Sequence, residues 1–96
     1  MTLEDKFPKT IFVKQYIDKY GLDKGFTREL GVIFGELLEA QDSFSKKDYE
    51  HSMEELVDVL HATFSALYMV PGYSAEKVEK IIKQIHEKNE KRDYYE

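Results

Sequence analysis

The 96-residue chain contains no cysteine, which excludes disulfides and thiolate metal sites and fits a cytoplasmic setting. It has no wholly apolar run long enough to span a bilayer. The start, Met1 to Lys6, lacks the basic-then-apolar pattern of a secretion signal, so no membrane partner is expected. Only two prolines occur, and no stretch alternates apolar and polar residues over a strand's length. Positive charge is scarce: 14 Lys and Arg stand against 19 Asp and Glu, a net charge of −5. With a pI near 5.2, a broad footprint on a phosphate backbone is excluded and nucleic acid is not an expected partner. An anionic ligand would need a local basic cluster or a bridging cation.

What is present suffices for a core. Hydrophobic residues make up 42% and aromatics 14%, which rules out a disordered chain. At 11.3 kDa there is room for one domain, residues 1–96, and not for a second core. So small a domain buries only part of its surface, and self-association is expected.

The apolar spacing predicts helices from end to end. Pro8 suits a first helical position, after which Ile11, Phe12, Tyr16 and Tyr20 recur at helical spacing up to Gly21. Residues 21–26 read as a loop, and Thr27 as the N-cap of a second helix to about Gln41, with Leu30, Ile33, Phe34, Leu37 and Leu38 as its apolar face. Asp42 to Ser45 reads as a break, with Ser45 and Asp48 resembling a capping box. A third helix opens between Lys46 and Ser52, carries Leu56, Val59, Leu60, Thr63, Phe64 and Leu67, and stops at Pro71-Gly72. Ser74 caps a fourth, with Val78, Ile81, Ile82 and Ile85 inward and lysines outward. The expected fold is an all-α bundle of about four helices.

Two acidic pairs stand out by their setting. Glu36 and Glu39, and Glu55 and Asp58, are each three residues apart and project from one side of a helix. Similar pairs in the fourth helix and tail are interleaved with lysines and read as solvated faces. The first two are not: no Lys or Arg occurs between Arg28 and Lys46, or between Lys47 and Lys77. Like charges crowded on largely apolar helices raise the free energy unless a cation compensates. If helices two and three lie antiparallel, the pairs meet, and such a set suits Mg²⁺ or Mn²⁺. The alternative is four acids facing solvent. On helix three the carboxylate side continues through Ala62, Ser65 and Ala66, and on helix two back through Val32. Small side chains there leave either a gap for a flat ligand or a tightly packed seam.

Gly35-Glu36-Leu37-Leu38-Glu39, followed after fifteen residues by Glu55-Leu56-Val57-Asp58, resembles the MazG-like all-α nucleoside triphosphate pyrophosphohydrolases, marked by E-x-x-E on one helix and E-x-x-D on the next. Asn89-Glu90-Lys91-Arg92 resembles the N-x-x-[KR] that often follows the family's last helix. The likeness covers about residues 28–92. Many members have Glu-Glu where this chain has Gly35-Glu36, and the matching ligand is Glu36.

The resemblance implies cleavage of a nucleoside triphosphate to a monophosphate and pyrophosphate. It implies that Glu36, Glu39, Glu55 and Asp58 are the catalytic, metal-holding set, with Mg²⁺ (or Mn²⁺) bound and one carboxylate orienting or deprotonating water. It also implies that Asn89 and Arg92, with Lys88 or Lys91, meet the phosphates or sugar, and that the chain is a homodimer or homotetramer with sites near subunit contacts. His61 reads as a core-edge or pocket-lining residue that can touch substrate; His51 and His86 read as surface positions. Phe12, Tyr16 and Phe64 read as core, with base stacking as the alternative. A helical oligomerisation or nucleotide-sensing module without turnover is the competing reading of the whole chain.

Overall fold

The computed structural model describes residues 3–7 and 11–91, with side chains from Asp5 to Phe7 and from Val13 to Lys91. Pro8, the side chain of Phe12, and Arg92 lie outside them. The described residues form helices joined by short turns and contain no strand: a one-turn α1 (Leu3–Lys6), then α2 (Ile11–Tyr20), α3 (Leu22–Ser45), α4 (Tyr49–Met69) and α5 (Ala75–Lys91). None of these helices is long and apolar enough to cross a membrane.

α3 and α4 form the body, packed along each other, with α2 against both. The turn between them is a Schellman motif. Lys47 N–H donates to the Phe44 carbonyl and Asp48 N–H to the Ser43 carbonyl, with Lys47 in the left-handed region at φ 63°. The next helix starts at once, because the Asp48 carboxylate accepts from His51 N–H at 3.2 Å. So short a reversal lays the two helices antiparallel.

Local chemistry moves two boundaries from their expected places. The expected loop at 21–26 is a single-residue break: Gly21, at φ 81°, separates α2 from α3, which starts at Leu22. Gly25 is buried inside α3, where an added Cβ would lie 3.7 Å from the Tyr16 carbonyl, so its small size lets α2 approach. Thr27 is no cap; its hydroxyl donates to the Asp23 carbonyl one turn back. Likewise α3 runs on through Ser45, and Asp48 rather than Ser45 caps α4. The Pro71-Gly72 stop and the Ser74 cap are as expected; the Ser74 hydroxyl accepts from Lys77 N–H at 3.1 Å.

The core lies at the end of the hairpin distant from this turn. Val13, Phe64, Tyr68 and Met69 are buried, with Phe7, Tyr16, Ile17 and Phe26 packed around them. Full burial of a side chain such as Val13 contributes about 1.5–3 kcal/mol. The Tyr68 hydroxyl donates to the Phe7 carbonyl at 2.6 Å, tying the N-terminal segment to α4.

The largest departure concerns which faces turn inward. Leu30, Leu37 and, at 68% each, Phe34 and Leu38 are exposed, as are Leu56 and Leu60 on α4. Buried along the seam instead are Gly25, Glu29, Ala40 and Ser43 of α3, and Ser52, Glu55, Ala62, Ser65 and Ala66 of α4. Small residues let two helices come close, and that seam wins over the bulkier apolar faces. α5 has no buried residue, and its Ile81, Ile82 and Ile85 are about half exposed, not inward.

Candidate functional site

The seam carries the acids. Glu36 and Glu39 of α3 and Glu55 of α4 each offer a carboxylate oxygen, all within 4.8 Å of one another. Their placement follows from the pattern: one helical turn separates the α3 pair, and the antiparallel partner brings Glu55 between them. Glu36 is half-buried, Glu39 exposed and Glu55 buried. Asp58, one turn beyond Glu55, is exposed and outside the group, beside a shallow surface depression with Glu54 and Val57.

Glu55 is the stressed member. Its Oε2 is buried without a hydrogen-bond partner, while His51 Nε2 stands 3.2 Å from its Oε1. Its carboxyl is pushed up to about 7, first by a proton-sharing contact with Glu36, then by burial, then by Glu39. Two ionised carboxylates so placed repel, and one proton or one cation resolves the conflict. A cation of carboxylate preference therefore fits these residues: the donors are hard oxygens, they converge, and one lacks any other partner.

His51 escaped the sequence reading. It is exposed, as expected, but it stands one turn before Glu55 and also reaches Glu54 Oε2 at 3.5 Å. The i,i+4 spacing to Glu55 was the available signal. A cleft of about 600 Å³ opens beside the acids toward the α3–α4 turn, lined in part by Glu39, Asp42, Lys46 and His51. Lys46 there pairs with Asp42 at 2.9 Å.

Glu29 also escaped it. Only 4% exposed, it lies on the same α3 face two turns before Glu36. Burial raises its pKa and the nearby His61 lowers it. A single acid seven residues before Glu36 forms no pattern of its own, so the sequence offered no signal for it. His61 itself is exposed, its ring edge-on to Phe7 at 6.4 Å. Ala62, Ser65 and Ala66 are all buried in the seam. Tyr16 and Phe64 pack in or against the core.

The structure does not bring the α5 residues to the acids within one chain. Lys88 and Lys91 are exposed, Asn89 is half-buried, and no α5 residue is fully buried. Searches of protein-family models, curated proteins and solved structures return no match to this chain.

Proposed function

We propose that the chain is a Mg²⁺-dependent nucleotide pyrophosphohydrolase of the MazG-like type, which cleaves a (deoxy)nucleoside triphosphate to its monophosphate and pyrophosphate. One observation carries the reading: a buried, unpartnered oxygen of Glu55 set among the carboxylates of Glu36 and Glu39. Glu36, Glu39 and Glu55 hold the cation, Mn²⁺ fitting the same oxygens, and the resemblance adds Asp58. When bound, Mg²⁺ neutralises the triphosphate and the charge developing on it, and helps position water. His51 orients the Glu55 carboxylate through Oε1. The carboxylate least engaged takes the proton of the attacking water, whose oxygen bonds to phosphorus as the bridging oxygen leaves with pyrophosphate.

Assembly belongs to the same reading. The exposed leucines and phenylalanine of α3 and the isoleucine stripe of α5 support a homodimer or homotetramer. Such an assembly would carry Lys88, Asn89, Lys91 and Arg92 toward a site, where cationic side chains and an amide suit phosphate and sugar oxygens. The cytoplasm, where nucleoside triphosphates are plentiful, is the setting this function requires.

The second reading, a helical oligomerisation or nucleotide-sensing module without turnover, is favoured by those same exposed faces. Pyrophosphate release from a panel of ribo- and deoxyribonucleoside triphosphates, with and without Mg²⁺, separates the two. The enzyme reading predicts metal-dependent release from at least one nucleotide. Silence across the panel with both Mg²⁺ and Mn²⁺ would favour the module.

A further inference from the structure

The α3–α4 hairpin keeps one long face bare. Among the described residues, these two helices expose more large apolar side chains than they bury. On a helical wheel, Leu30, Leu37 and Phe44 stand about a quarter turn round α3 from the seam, and Tyr49, Leu56 and Leu60 about a third of a turn round α4. In an antiparallel pair those positions share one face. The rings of Phe44 and Tyr49, with centroids 5.3 Å apart, join the two rows at the turn. Glu39 and Asp58 come out on the opposite side of the hairpin. The bare face itself carries no charged residue from Leu30 to Phe44 or from Tyr49 to Leu60.

Size and charge narrow what can cover it. The α3 row from Leu30 to Phe44 is ~21 Å long, whereas the α5 stripe from Val78 to Ile85 is ~10 Å, too short to cover it. At roughly 200 Å² for a large side chain, the exposed parts of the six come to about 600 Å², and Phe34, Leu38 and Met53 on the rim bring the face to about 1,000 Å². The largest apolar patch on an ordinary monomer is about 300–600 Å², and a stable dimer covers about 800 Å² on each partner. Residues 29–45 and 48–69 together hold nine carboxylates and no Lys or Arg. Two copies meeting through any other side of the hairpin would set like charges against each other.

We propose that this uncharged face binds the same face of a second copy, the two hairpins closing a four-helix bundle about a two-fold axis. The inference rests on the homo-oligomer part of the proposed function and not on turnover. A self-complementary contact gives each row a partner of its own length and brings no carboxylate to the interface. The acids then open on the outer sides of the bundle, and each hairpin holds Glu36, Glu39 and Glu55 without help from its partner. The α5 stripe is left for a second contact between dimers, the one that would bring Lys88 and Asn89 to an acidic site.

The test is light scattering at micromolar concentration on wild type, Leu56→Glu and Val57→Glu, with pyrophosphate release measured on the same samples. Val57 is as exposed as Leu56 but lies on the back of α4. Wild type is expected at the mass of two or four chains; Leu56→Glu should at least halve that mass, and Val57→Glu should leave it unchanged. Leu37→Gln serves if Leu56→Glu loses its helical circular dichroism. The chain has no cysteine, so single thiols report coverage directly: that of Leu37→Cys should react about tenfold more slowly than that of Val57→Cys. An unchanged mass in folded Leu56→Glu, an equal fall in both variants, or equal thiol rates overturns the assignment of the face. A one-chain mass for wild type overturns the second copy as occupant, and binding of that monomer to neutral phosphatidylcholine vesicles would give the face to a lipid surface instead. Turnover by a one-chain species overturns this interface and leaves the hydrolase standing. An assembly that Leu56→Glu breaks, with no turnover of any nucleotide, supports the interface and overturns the hydrolase.

Discussion

Protonation of Glu55 gives the acidic group a measurable pH signature. With its carboxyl at about 7, the group is about one-tenth ionised at pH 6, half at pH 7 and nine-tenths at pH 8. A cation takes the ionised form, so its apparent affinity should rise about tenfold from pH 6 to pH 8 and level off above. At pH 7 each ion bound should release about half a proton. Isothermal titration with Mg²⁺ or Mn²⁺ in buffers of different ionisation enthalpy measures that release directly. The metal-free protein should show the opposite slope. A carboxyl whose folded pKa lies above its unfolded value binds extra protons when folded. Its stabilising contribution is therefore full below about 4.5 and lost as pH rises through about 7. Glu55→Gln should flatten both profiles over this window. Metal affinity independent of pH between 6 and 8, with no proton released, would refute the proton-sharing geometry at Glu55.

Further outcomes follow from other residues. Glu39→Gln and Asp58→Asn should each cut turnover by orders of magnitude while apo Tm stays level or rises, since each removes one charge from an acidic surface; unfolding of both variants would make these acids structural. Ile82→Glu on the half-exposed stripe of α5 should lower the mass seen by light scattering toward that of one chain, and an unchanged oligomer would clear α5 of that role. Lys47→Gly should stabilise the fold by about 1 kcal/mol in a denaturant melt, because Lys47 sits at φ 63° in the α3–α4 turn. Tyr68→Phe should cost about 1 kcal/mol through loss of the 2.6 Å bond to the Phe7 carbonyl.

Helix content and the later helix signals were legible because they are local. Pro71-Gly72 stops α4 and Ser74 caps α5 whatever surrounds them. The misplaced boundaries were decided by tertiary contact: Gly25 reads as a loop residue until α2 is seen leaning on it. Asp48 and Ser45 are both credible caps, and Lys47, a residue that seldom takes φ above zero, closes the turn between them. The inversion of α3 could not be read from period alone. Leu30, Phe34, Leu37 and Leu38 form a clear stripe, but periodicity says only that the stripe exists, and an assembly can cover it as well as a core can. The acids were legible because E-x-x-E and E-x-x spacing needs only a helix. Glu29 was not, since one acid in a helix carries no pattern until its burial is known.

The central claim is that Glu36, Glu39 and Glu55 hold a cation for cleavage between the α and β phosphates. Incubating the purified protein with a nucleoside triphosphate and Mg²⁺, and following the products by phosphorus NMR, tests it most directly. The account predicts monophosphate and pyrophosphate in equal amounts, abolished by chelation and by Glu39→Gln. Diphosphate with inorganic phosphate, or turnover that survives both the chelator and the substitution, would contradict it.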